Sequence, residues 1–148
     1  VTEAPVVVIV LGYKNAYQTH LEPMLEQRVA LGGLTPEAAN EVRGRVMGAF
    51  PRIPDLATWA LRSCMLAAMS MMIAAESLGV ASAPMEGFDH GKIKEEFGVP
   101  DDHIVCCLVA LGHRLEQAAC PGRFGLNEVC YEEHFGQPWT LGETEQWG

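Results

Sequence analysis

Basic residues are scarce in this chain: 10 Lys and Arg stand against 19 Asp and Glu, a formal charge of −9 over 148 residues. A chain so charged repels phosphate backbones, and its few cations are thinly spread, so nucleic acid is a poor candidate partner and none is expected. No C-x-x-C pair occurs among the five cysteines, Cys64, Cys106, Cys107, Cys120 and Cys130. An odd, unpatterned set reads as reduced, mostly buried thiols of a cytoplasmic protein. The five histidines share no metal-ligand spacing with each other or with the cysteines, so no metal site is expected. The phosphate loop G-x-x-x-x-G-K-S/T is missing, which argues against ATP or GTP. The first residues, VTEAPVVVIVLG, lack the pattern of a basic leader and a cleavage site, and there is no internal repeat or low-complexity segment.

What is present is ordinary globular material. About half the residues are apolar and a fifth are charged, enough to build one core. We expect a single domain over 1–148 with an irregular tail from 135 to 148. Pro5–Gly12 (PVVVIVLG) is a β-branched run that predicts a covered strand. Tyr13–His20 is polar and reads as a loop. Leu21–Leu31 predicts a helix stopped by Gly32-Gly33. Thr35-Pro36-Glu37 opens a second helix, with Thr as cap and Pro at the first turn; it should run to about Phe50 and expose Glu37, Asn40, Glu41 and Arg45. Pro51 and Pro54 force a turn.

Asp55 caps the most informative helix, Leu56–Leu78, closed by Gly79. Its centre, CMLAAMSMMIAA, is apolar nearly all round. Arg62 and Glu76 bracket it too closely for the roughly twenty residues of a membrane span, so a buried helix is expected. One chain of this size covers such a helix poorly, which points to a homodimer through it. Val80–Ala83 is the next strand. Asp89 caps a short helix ending near Phe97 with Gly98 beyond it, and Asp101–His103 turns into the apolar strand Ile104–Leu111, expected at the sheet centre. Cys106 and Cys107 should point to opposite faces of that strand. Gly112–Gly122 is a loop, and Asn127–His134 a charged short element. The order of elements predicts an α/β or α+β fold with a small sheet.

The stretch VASAPMEGFD (Val80–Asp89) carries the chemistry. Pro84 lacks an N–H and should end strand pairing on its side. Gly87 lacks a Cβ, so it can take positive φ or let a flat ligand approach the backbone. Amides around Met85, Glu86 and Gly87 are then released from the sheet. An ordinary strand-to-helix turn explains the same residues on spacing alone.

Around this turn the sequence resembles the FMN-dependent nitroreductase family. The pieces are Ala74-Ala75-Glu76-Ser77-Leu78-Gly79, Pro84-Met85-Glu86-Gly87-Phe88-Asp89, Gly98-Val99-Pro100-Asp101-Asp102 and Leu111-Gly112. Pro121-Gly122-Arg123-Phe124 is similar to an arginine-bearing segment near the family's C-terminus. The resemblance runs from about residue 4 to residue 139. It implies an α+β, nitroreductase-like α/β/α sandwich with a small mixed sheet and a long central helix at a homodimer interface. It further implies FMN at that interface, a backbone N–H of the Pro84–Gly87 turn on flavin N5, and Arg123 on the FMN phosphate; the alternative for Arg123 is a surface arginine in a Gly/Pro loop. NAD(P)H would deliver hydride through flavin N5 in ping-pong fashion to a nitroaromatic, quinone or enal acceptor, with no catalytic side chain required. The family's Arg-rich N-terminal phosphate segment has no counterpart here. A missing segment or a further chain is therefore expected to complete the FMN site.

Two other readings compete: a non-catalytic or partner-dependent binding subunit, and a flavin-sequestering protein. Glu132, Glu133 and His134 read as a solvated face. A Cys106 or Cys107 nucleophile is disfavoured because both fall mid-strand, where thiols are inert.

Overall fold

Pairing of the first apolar run with the last sets the frame. The computed structural model describes residues 4–114 and 122–140, which fall into two units treated separately. In the first, β1 (Val6–Tyr13) is followed by a short α1 (Ala16–Thr19), α2 (Leu21–Ala30), α3 (Pro36–Ala49), a 3-10 turn at Phe50–Arg52, and α4 (Leu56–Ser77). Then come β2 (Ala81–Met85), α5 (His90–Phe97) and β3 (His103–Gly112). The three strands form one sheet of order β1-β3-β2. Both pairings are antiparallel, so the sheet is not the mixed one expected. β3 is central, as its unbroken apolar run requires, with Val105–Val109 buried throughout.

Local signals behave as their chemistry dictates. The Thr35 hydroxyl accepts from the Ala38 amide, Asp55 accepts from Thr58, and Asp89 accepts from Lys92, each starting its helix. Gly98 closes α5 at φ 61°, a left-handed conformation. The polar stretch after β1 is not wholly loop: α1 forms within it, where Tyr17 packs on Phe50, ring centroids 5.2 Å apart. α2 and α3 form a hairpin with a small core of its own, Leu21, Leu25 and Ala39. Arg43 clamps it from outside, its Nε and Nη2 donating to the two Glu22 carboxylate oxygens at 2.5 and 2.8 Å.

The main core lies between α4 and the sheet. α4 rests on all three strands, placing Ala68 against Cys107 and Val109, with Met65, Met71, Met72, Val8, Val10 and Leu111 around them. Burial of a side chain such as Val109 contributes about 1.5–3 kcal/mol. At 22 residues α4 is long and apolar enough to cross a bilayer, so the length argument against a span does not hold. Its packing against the sheet speaks against one instead. α4 is also not covered all round. Leu66, Met69 and Ile73 on its outer side are 73%, 53% and 60% exposed.

Cys106 and Cys107 do not point apart. Val10 pairs with Cys107 but Leu11 pairs with Val105, so Cys106 is an extra, unpaired residue at a β-bulge. The bulge breaks the alternation of faces. Cys107 packs on Ala68 of α4, and the Cys106 sulfur lies at the Leu11–Gly12 peptide that Cys64, also on α4, reaches from the helix.

The second unit is short. α6 (Leu126–Val129) begins at Gly125, whose amide donates to the Glu128 carboxylate at 2.7 Å. The chain then turns back, with an isolated bridge between Tyr131 and Pro138 and a Trp139 amide bond to the Cys130 carbonyl at 3.0 Å. Only the first part of the expected element at Asn127–His134 is therefore helical. Most of the Gly112–Gly122 loop, with Cys120, and the end of the tail lie outside the described residues.

Candidate functional site

Pro84 does not end the strand; β2 runs one residue further. Pro84 sits opposite Val109, and Met85 opposite Leu108. A proline has no amide to exchange, so Pro84–Val109 must be a non-hydrogen-bonded pair, and Met85–Leu108 exchanges both bonds. The missing donor of Pro84 thus lies on the outer side of an edge strand, where proline is tolerated. By the same alternation the Glu86 amide points outward, away from β3.

Beyond Met85 the chain makes a tight three-residue turn, the Phe88 amide donating to the Glu86 carbonyl at 2.9 Å with Gly87 between them. Among the described residues, neither the Glu86 nor the Gly87 amide has a partner at this turn. Gly87 is not in the left-handed region. A Cβ built on it would meet nothing within 4 Å. Gly12 makes the contrast plain: its Cβ would strike Ile104 Cγ1 at 2.9 Å and the Cys106 sulfur at 3.2 Å. Gly12 is required by the packing of this chain, whereas Gly87 is not. Glycine at 87 leaves an open approach to bare backbone.

Two side chains that sequence reasoning passed over hold this corner in place. Phe88 is half-buried, with its ring 4.5 Å from that of His90. His90 Nδ1 lies 3.0 Å from the Val105 carbonyl, tying the start of α5 to β3. Only the position of His90 directly after the Asp89 cap marked it in the sequence. Behind the corner, burial pushes the Cys107 thiol up, and the Glu86 carboxylate and Cys64 add to the shift. Burial likewise pushes Cys106 up to about 12, with Cys64 and Cys107 contributing. Both thiols stay protonated at neutral pH, as their mid-strand positions imply.

Pro84, Met85, Glu86 and Gly87 are therefore brought together at one exposed corner. Arg123 belongs to the second unit. It is exposed, its Nη1 donating to the Gly122 carbonyl at 2.6 Å, and among the described residues no carboxylate pairs with it. No group of His, Cys, Asp and Glu among the described residues could hold a metal ion.

Comparison with known proteins gives the family and the fold. The family model described as "Nitroreductase family" matches residues 2–113. Protein DrgA of Synechocystis is 31% identical over 135 residues, covering 86% of this chain and 61% of its own. An NADH dehydrogenase of Thermus thermophilus is 28% identical over 129 residues, covering 87% and 62%. A nitroreductase-type protein of Exiguobacterium sibiricum, solved in complex with FMN, superposes with a TM-score of 0.81 at 22% identity, covering 88% of this chain and 63% of that one. That likeness establishes the fold. The chain spans about three-fifths of the length of the curated relatives it matches. With most of its residues matched by the family model, the chain belongs to the nitroreductase family.

Proposed function

We propose that this protein is an FMN-dependent NAD(P)H oxidoreductase of nitroreductase type, acting by ping-pong hydride transfer on a nitroaromatic, quinone or enal acceptor. The observation that carries the reading is the corner at Gly87: the outward Glu86 amide and the unpartnered Gly87 amide, beside open space that no part of the described chain needs. A flat ring stacked there meets bare backbone, and a main-chain donor is available to its N5 edge. Support also comes from the FMN bound to the Exiguobacterium protein and the NADH named for the Thermus relative. FMN, when bound, supplies the hydride-accepting and hydride-donating chemistry.

The chain's own residues bind and orient. Pro84 blunts the outer edge of β2. Met85 anchors the turn to Leu108, and Glu86 acts through its backbone. His90, through the Val105 carbonyl, keeps the turn from shifting. Arg123 offers a guanidinium fork for the FMN phosphate. The outer side of α4, with Leu66, Met69 and Ile73, is the homodimer surface. The four described cysteines are free thiols, which supports a cytoplasmic setting.

The test is FMN titration of the purified protein, followed by flavin fluorescence and thermal midpoint, with NAD(P)H oxidation in parallel. Gly87→Val should keep the circular dichroism spectrum of the parent and weaken FMN binding about tenfold or more, a loss of about 1.4 kcal/mol or more. Full binding by that variant would remove the corner from the site. Binding of FMN without turnover would favour the flavin-sequestering reading. A protein that gains no thermal stability from FMN would favour the non-catalytic subunit.

A further inference from the structure

We propose that Cys64 and Cys106 form a peroxide-oxidisable dithiol that reversibly ties α4 to the centre of the sheet. This is independent of the flavin site. Cys64 is half-buried on the sheet-facing side of α4, its thiol donating to the Leu11 carbonyl at 3.4 Å. Cys106 is the extra residue of the β3 bulge, 2% exposed. Its sulfur lies 3.2 Å from where a Gly12 Cβ would stand. Leu11 and Gly12 are consecutive, so two sulfurs from opposite layers converge on one peptide. Without the bulge, Cys106 would face away from the helix. Without the bare Cα of Gly12, its sulfur would have no room. Cys107, fully buried, packs instead on Ala68, one helical turn along from Cys64.

The chemistry balances with hydrogen peroxide as the oxidant. The Cys64 sulfur, the more accessible of the two, attacks a peroxide oxygen; the O–O bond breaks, water leaves, and Cys64 becomes a sulfenic acid. The Cys106 sulfur then attacks the Cys64 sulfur. The S–O bond breaks, and the departing hydroxide takes the Cys106 proton to leave as water. Two thiols and one peroxide give a disulfide and two waters. With its high pKa, Cys106 is a slow resolving thiol, so the link should form over minutes rather than instantly.

The experiment oxidises the reduced, purified protein with hydrogen peroxide and digests it with trypsin without reduction. Cys64 falls in the peptide Ser63–Lys92, and Cys106 in Glu95–Arg114 with Cys107. Mass spectrometry should find these two peptides joined, at two hydrogens less than their sum, and separated again by dithiothreitol. The Cys107→Ser variant must keep the link, and Cys106→Ser must lose it. A link that persists in Cys106→Ser, one that runs to Cys120 or Cys130, or a Cys64 that advances to sulfinic acid with no link, would each overturn the proposal. The Cys107→Ser result decides by itself should the other variant not fold.

Discussion

The two sides of α4 are built from the same kinds of residue and meet opposite fates. On the inner side Ala68 is 2% exposed and touches Cys107 and Val109, both at 0%. On the outer side, two residues back and one and five on, Leu66, Met69 and Ile73 stand out of the chain. The inner side uses small and flexible residues, Ala and Met, because a helix lying across strands needs close approach and irregular filling. The outer side leaves the larger Leu66, Met69 and Ile73 exposed, where a helix face on water is ordinarily polar. Apolar content therefore says that a surface is to be covered, without saying by what. The two glycines teach the same lesson on a smaller scale. Gly12 answers to its own chain, whereas the described chain places nothing against Gly87.

The largest effect should come from the inner side. Val109→Asp places an unpaired carboxylate between α4 and β3 and should cost about 4 kcal/mol or more, read from urea denaturation. A loss under about 1 kcal/mol would mean that this layer is not the core. Next, the double variant Leu66→Glu with Ile73→Glu tests the outer side. Its circular dichroism should match the parent, while light scattering should shift from dimer to monomer. If it unfolds as Val109→Asp does, the contrast between the two sides fails. If it stays dimeric, the covering surface lies elsewhere.

The smallest effect concerns how α4 begins. Hydrogen bonds from Thr58 hold the Asp55 carboxyl below its ordinary range. A depressed folded pKa stabilises fully above the unfolded value of about 3.9 and is lost as pH falls through the folded one. Asp55→Ala should therefore lower the thermal midpoint modestly at pH 7, and the difference from the parent should vanish in strong acid. A difference that persists there would mean that Asp55 acts by something other than its charge.

Helix starts were the most legible part of the fold. Thr35, Asp55 and Asp89 each supply an acceptor that only a helix N-terminus needs, and each is found doing so. The unbroken apolar run of β3 likewise announced a strand with neighbours on both sides. The site was legible as a place, a turn with Pro84 and Gly87 in it. Its working geometry was not. Whether Pro84 ends a strand or lies along its edge depends on which partner stands opposite, and that partner, Val109, is 25 residues away. His90 looked like any residue after a cap until its ring met the Val105 carbonyl.

Sequence by itself determined the longer helices and the strands, the helix caps and the place of the Pro84–Gly87 turn, because these rest on interactions within a few residues along the chain. Tertiary structure alone decided the antiparallel sheet, the outward aim of the Glu86 amide, the emptiness beside Gly87 and the turning of Cys106 toward α4. Each of these depends on register between distant strands, where a shift of one residue exchanges the faces, and no local propensity encodes such a shift.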